Sequence, residues 1–290
     1  MRRVFFFLCS VLYTSLLFAI SMEDEFLEEA ESKNIKELRS CLSYGVNVNY
    51  TNTKGETALI IAARQGWEAG LDVLLRTAFT ACNHKDKSGK TALIHAVDSK
   101  NLACVKKLVE LGYADVNLGD DEGRTPLMHA ILHNDETICR FLLKLNSVSF
   151  NAKDENGNTA CMLAVKTGNL DIIRLLIAKN YVIDWNACNE EGDCVLSLAI
   201  KAKNTDLVKS LLKNISDINP MSVVIEELPA IFWTIKAKNV AMTKVLLGYY
   251  DLEYLQEIVD EEDHDIKWYV KKYKCDVVQK CLDEFNGAKW

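Results

Sequence analysis

His129 and His133 are the residues whose type and spacing come nearest to site chemistry. Four residues apart on one predicted helix, they have the separation of two metal ligands on a common face. No glutamate lies between them, and the sequence places no third ligand beside them. His95 holds the position of His129 one repeat period earlier, which favours packing or surface roles for both. No metal and no cofactor are therefore expected. The cysteines at 104, 139, 161, 194 and 281 fall within or at the start of predicted helices, where a free thiol behaves as a small buried hydrophobe. Cys188 with Cys194, and Cys275 with Cys281, are the pairs near enough in sequence to consider for disulfides. No nucleophile–base–orienter set recurs, no phosphate-cradling glycine loop occurs, and residues 222–290 lack a catalytic constellation. The chain is not expected to be an enzyme.

The elements that position these residues follow an N-terminal stretch of a different kind. Arg2 and Arg3 precede an uncharged apolar run from Val4 to Ile20, and Ala19-Ile20-Ser21 carries small residues where a signal peptidase reads. Residues 1–21 are expected to be a signal peptide cleaved before Met22. The alternative is an uncleaved membrane anchor over residues 4–20, at the short end of the roughly 17–25 residues that span a bilayer. Cleavage removes two positive charges and takes the formal net charge from −7 to −9. An acidic body argues against nucleic acid and anionic membranes as partners, since both need a positive surface. Ten cysteines are present, nine beyond Ser21, with no CxxC pair or zinc-type spacing, so a disulfide framework is not expected. Unpaired thiols suit a reducing compartment, whereas a signal sends the chain through the secretory route. Secretion by an intracellular parasite or symbiont, followed by action inside the host cell, reconciles the two. Asn49-Tyr50-Thr51 and Asn214-Ile215-Ser216 fit the N-glycosylation pattern.

One pattern dominates the rest of the chain. Gly55-Glu56-Thr57-Ala58-Leu59, Gly89-Lys90-Thr91-Ala92-Leu93, Gly123-Arg124-Thr125-Pro126-Leu127 and Gly157-Asn158-Thr159-Ala160-Cys161 recur with a period of 34, and Gly192-Asp193-Cys194-Val195-Leu196 follows after 35. Asparagines at 49, 83, 117, 151, 186 and 219 keep the same time. Each unit reads as helix–turn–helix–loop. The threonines are N-caps, and Pro126 suits the first helical position. Ala62, Ala96, Ala130, Ala164 and Ala199 are small where first helices must pack closely. Leu170, Ile173, Leu176 and Ile177 form the apolar stripe of a second helix. The glycine two before each threonine suits a positive φ.

This unit resembles the ankyrin repeat, with its Thr-Pro-Leu-His-x-Ala start. The resemblance implies an all-α solenoid of stacked helix–turn–helix units joined by β-hairpin-like loops. Only Thr125-Pro126-Leu127 keeps the first three letters of the signature, and Met128 stands at the histidine place, with His95 and His129 one residue late. The expected organisation is a signal at 1–21, an N-terminal capping repeat at 22–52, five regular repeats at 53–221, and a degenerate repeat with a C-terminal cap at 222–290. The resemblance implies a monomeric scaffold that binds a protein partner through loop tips and the concave first-helix surface. Arg64, Asp98, Leu132, Lys166, Lys201 and Lys236 share one position on that surface. Leu132, His133 and Trp233 are the first choices for contacts. The tips turn acidic from the third onward, at Asp120, Asp121, Glu122, Asp154, Glu155, Glu190 and Glu191, a ridge suited to a basic partner. The alternative is an adaptor anchored in, or kept within, the producing cell. Mass spectrometry of the mature chain is expected to find an N-terminus at Met22; an intact Met1 would mean an anchor.

Overall fold

A computed structural model describes residues 22–179, 182–250, 252–276, 278–280 and 283. The expected signal at 1–21 and Cys281 lie outside the described residues. Among them, no helix is long and apolar enough to cross a membrane. The chain divides into two compact units, residues 1–155 and 156–290.

The first unit stacks four helix pairs: α1 (22–31) with α2 (Ile35–Ser43), α3 (Ala58–Arg64) with α4 (Glu68–Leu75), α5 (Ala92–Asp98) with α6 (Leu102–Glu110), and α7 (Pro126–Leu132) with α8 (Glu136–Leu142). In the second, α9 (Ala160–Thr167) pairs with α10 (Leu170–Ile177), α11 (Val195–Lys201) with α12 (Thr205–Asn214), and α13 (Ala230–Lys236) with α14 (Val240–Leu247). A hairpin of β1 (Val224–Ile225) and β2 (Leu228–Pro229) precedes α13, and its turn is Glu226-Glu227. Beyond come α15 (Leu252–Glu257), of which the repeat pattern gives no sign, and α16 (Ile266–Tyr273).

The first helices form where the threonines predict. Thr57, Thr91, Thr125 and Thr159 each accept a hydrogen bond from the backbone N–H three residues on, at 3.3–3.5 Å. In the fifth copy Cys194 is the N-cap and forms a reciprocal box with Ser197. These helices are buried nearly all round: Ala58 to Ala63 are all core, and the five periodic alanines have no exposed surface. A helix flanked on both sides by its equivalents has room there only for a methyl group.

The second helices carry a device the sequence reading missed. Asn34, Asn101, Asp135, Asn169, Asn204 and Asn239 are their N-caps, each accepting from a first-turn N–H. The residue before each cap turns the chain with a positive φ, as at Lys100, Asn134 and Lys203. On α10 the apolar face is Ile172, Ile173 and Leu176. Leu170 is instead 40 % exposed, because as the first residue after the cap it points off the packed stripe.

The second periodic marker has a bonding reason too. Asn49 donates its amide to the carbonyl of Phe79 and accepts from the N–H of Ala81, both at 2.8 Å. Asn117 does the same with Ser147 and Ser149, both at 2.7 Å. The side chain clasps the following repeat and uses a donor and an acceptor together, which aspartate cannot offer. The nitrogen that a sugar would occupy on Asn49 is thus engaged in the clasp.

Cys104, Cys139, Cys161 and Cys194 are buried free thiols. Burial pushes the Cys104 thiol up to about 11 and that of Cys139 up to about 12, so neither is a ready nucleophile. Exposed Cys188 and Cys194, which is committed as a helix cap, do not form the considered disulfide. Cys275 is also free. Asn117→Asp keeps the acceptor and removes the donor; it is expected to lose about 1 kcal/mol, the net size of one hydrogen bond. Urea unfolding followed by circular dichroism checks this, and wild-type stability would show that the clasp contributes nothing.

Candidate functional site

The site begins with a turn. At the turns of Asn52, Asp86, Asp120, Asn189 and Asp260, an Asx side chain accepts two backbone N–H groups through one oxygen. Asp86 Oδ1 takes those of Ser88 and Lys90 at 2.9 and 3.0 Å, and Asp120 Oδ1 takes those of Glu122 and Arg124 at 3.0 and 2.9 Å. The tips then join through the backbone. In the first unit the N–H groups of Lys87, Asp121 and Glu155 donate to the carbonyls of Lys54, Ser88 and Glu122 at 2.9–3.2 Å. The turn glycine lies against this ladder: a Cβ on Gly89, at φ +72°, would stand 2.4 Å from the backbone nitrogen of Asp121.

A carboxylate at the turn has a second oxygen to satisfy. Asp86 Oδ2 meets His95 Nε2 at 2.7 Å, and Asp120 Oδ2 meets His129 Nε2 at 2.9 Å, nine residues on in each case. In the second unit Tyr269 donates its hydroxyl to Asp260 Oδ2 at 2.7 Å, again nine residues on. Where the turn residue is Asn52 or Asn189, position nine is Ile61 or Leu198. An amide has no second carboxylate oxygen to satisfy, but the rule is not general: Asp154 is a buried carboxylate whose position nine is Leu163. The displaced histidines are therefore partners of the fingers that precede them.

His129 also reaches across to the preceding repeat. Its Nδ1 lies 2.8 Å from Asp98 Oδ1 at the end of α5, and His133 Nε2 lies 2.9 Å from the same oxygen. Lys90 Nζ holds Asp98 Oδ2 at 2.7 Å. Each ring nitrogen of His129 thus faces a carboxylate oxygen. Burial alone would raise the Asp98 carboxyl, but donors from His129, Lys90 and His133 outweigh it and hold it well below the usual range. The His129 side chain is 8 % exposed and that of His133 is 37 % exposed, so the cluster runs from core to solvent.

Leu132 stands beside this cluster at an irregular position. In the other regular repeats the residue at this position, at or next to the end of the first helix, pairs with the residue after the turn glycine, eight before it. Arg64 pairs with Glu56 at 2.9 Å, Asp98 with Lys90 at 2.7 Å, Lys166 with Asn158 at 2.8 Å and Lys201 with Asp193 at 2.7 Å. In the remaining regular repeat Arg124 turns to Glu122, and Leu132 is left 37 % exposed with no polar partner. The other candidates divide. Asp121, Glu122 and Glu155 are exposed tips of the first unit, and Glu190 and Glu191 are exposed tips of the second. Asp120 and Asp154 are buried rather than displayed, Asp120 because its side chain turns in to clamp the finger. Trp233 lies on α13, half-buried, away from the other candidates of its own unit in sequence.

The sequence model of the family described as Ankyrin repeats (3 copies) matches residues 27–120, 74–154, 104–187 and 145–222. This chain is an ankyrin-repeat protein. No curated protein matches it. Ankyrin repeats support a protein-binding scaffold, and the family is generally not catalytic. Against the ankyrin pattern, the late histidine is a coherent substitution: with Met128 buried in the usual place, His129 serves the finger and the neighbouring repeat at once. Asp98 shared a surface position with Leu132 in the sequence, but nothing there signalled that it meets two histidines.

The finger carboxylate of the second unit gives a pH test. Burial would raise the Asp260 carboxyl, but donors from the Tyr269 hydroxyl and the backbone N–H groups of His264 and Glu262 hold it at about 2. A depressed folded pKa stabilises above the ordinary value near 3.8 and is lost as pH falls through about 2. Asp260→Asn is expected to flatten stability between pH 4 and 2 relative to wild type; an unchanged acid slope in thermal melts would refute this.

Proposed function

We propose that this ankyrin-repeat protein is an exported monomer that binds a protein partner through exposed first-helix residues and finger tips. The observation that carries the reading is Leu132. It is an exposed leucine where equivalent positions keep polar pairs, it adjoins half-exposed His133, and it sits on a rigid helix end. An apolar anchor bordered by polar groups is the usual form of a binding hot spot. The exposed acids Asp121, Glu122 and Glu155 in the first unit, and Glu190 and Glu191 in the second, suit a basic partner surface. Trp233 is a further candidate within the second unit. Asp120 and Asp154 belong to the scaffold in this reading.

Export rests on the charged-then-apolar start of the chain, and the free thiols favour a reducing place of work. Together they support a parasite or symbiont effector that acts inside a host cell. The apolar run over residues 4–20 supports the second reading, an ankyrin adaptor anchored in the producing cell.

The test is binding to a partner recovered by affinity capture, compared among variants. Leu132→Asp is expected to weaken binding about tenfold or more. Leu111→Asp, at a leucine 50 % exposed elsewhere in the first unit, is expected to leave it unchanged. Equal affinity for wild type and Leu132→Asp would remove this surface from the reading, and insensitivity to reversing Asp121, Glu122 and Glu155 would remove the acidic ridge.

A further inference from the structure

We propose that Asp98, His129 and His133 form a binding site for a first-row divalent metal ion, zinc being the representative. The ligand atoms are His129 Nδ1, His133 Nε2 and a carboxylate oxygen of Asp98, all within 4.8 Å of one another. Two of the separations are 2.8 and 2.9 Å, through Asp98 Oδ1. Ligand atoms on a tetrahedral zinc lie about 3.3 Å apart, given metal–ligand distances near 2.0–2.1 Å. A small opening of the cluster would seat the ion. The metal would replace the two nitrogen–carboxylate contacts, with any proton on those nitrogens released to solvent.

What separates this cluster from a chance meeting of polar groups is its outer layer. A metal-binding histidine generally gives its other ring N–H to a carboxylate, which fixes the ring and its tautomer. His129 does this with buried Asp120, at 2.9 Å from Nε2. Asp120 is itself fixed by two backbone N–H groups. Lys90 holds Asp98 Oδ2 at 2.7 Å, leaving Oδ1 as the ligating atom. His95 makes the same contact with its own finger, but no second histidine follows four residues later, since position 99 is Ser99. Among the described residues the site is thus confined to one repeat junction. Imidazole and carboxylate donors without thiolate suit zinc, cobalt or nickel. Three protein ligands leave a fourth position beside half-exposed His133, on the solvent side, for water or a further ligand.

The experiment titrates the metal-free full chain with zinc by calorimetry, and with cobalt by visible spectroscopy. One ion per chain is expected, with tetrahedral-type cobalt bands. His133→Ala, at a half-exposed position, is expected to abolish that binding with folding intact by circular dichroism. Asp98→Asn is expected to weaken it, and Asp120→Asn, a positioning variant, to weaken it by about 10–100-fold and alter the cobalt spectrum. His84→Ala, outside the cluster, is expected to change neither. Absence of saturable binding would overturn the proposal. So would binding that survives in His133→Ala, because the ion would then be held by thiols or other histidines.

Discussion

Five of the finger turns each rest on one oxygen atom. At the finger turn, Oδ1 of an Asx residue accepts two backbone N–H groups and fixes the hairpin, as at Asn52, Asp86, Asp120, Asn189 and Asp260. Only with the turn so fixed can one tip hydrogen-bond the next through the backbone. That ladder sets the spacing of repeats within each unit, and the spacing explains why the alanines of the first helices are fully buried.

The choice between amide and carboxylate at that turn has chemical consequences. An amide completes the turn and leaves an apolar residue free to pack nine positions on. A carboxylate carries one oxygen more, whose burial would be costly without a donor. His95, His129 and Tyr269 supply it to Asp86, Asp120 and Asp260, whereas the residue nine after Asp154 is Leu163. At the third finger the donor is an imidazole with a second nitrogen to place, and Asp98 receives it. The histidine–aspartate cluster thus grows from a local need of the backbone turn, and its position next to Leu132 gives that part of the surface a mixed charged and apolar character.

The second unit shows how the pattern decays without losing its logic. Proline replaces threonine ahead of α13, and glutamates with positive φ replace the turn glycine in the β1–β2 hairpin. Aromatic residues take over part of the packing: Phe232 stacks on Tyr269 at 4.5 Å, and the Tyr250 hydroxyl donates to the Pro220 carbonyl at 2.7 Å. At the place of the periodic alanine stands buried Thr234, whose hydroxyl accepts from that of Thr243 at 3.0 Å.

The repeat, its helix pairs, the threonine caps and the family were legible in the residues, because each is a local rule recurring at a fixed period. The clasp asparagines were visible as a marker before their bonding was known. The N-caps of the second helices are asparagine except at Asp135 and at Trp67, which makes no side-chain cap, so they too were legible as a periodic marker. The site was legible only in half. His129 and His133 announce themselves by spacing, and Leu132 by breaking the polar run at its position. Asp98, the shared partner of both histidines, lies 31 residues from His129, and which way Asp120 and Asp154 face is not written in their charge. A repeat chain brings residues one period apart into contact by stacking. Those contacts depend on the spacing and rotation of whole helices, which the fold decides and no local pattern encodes.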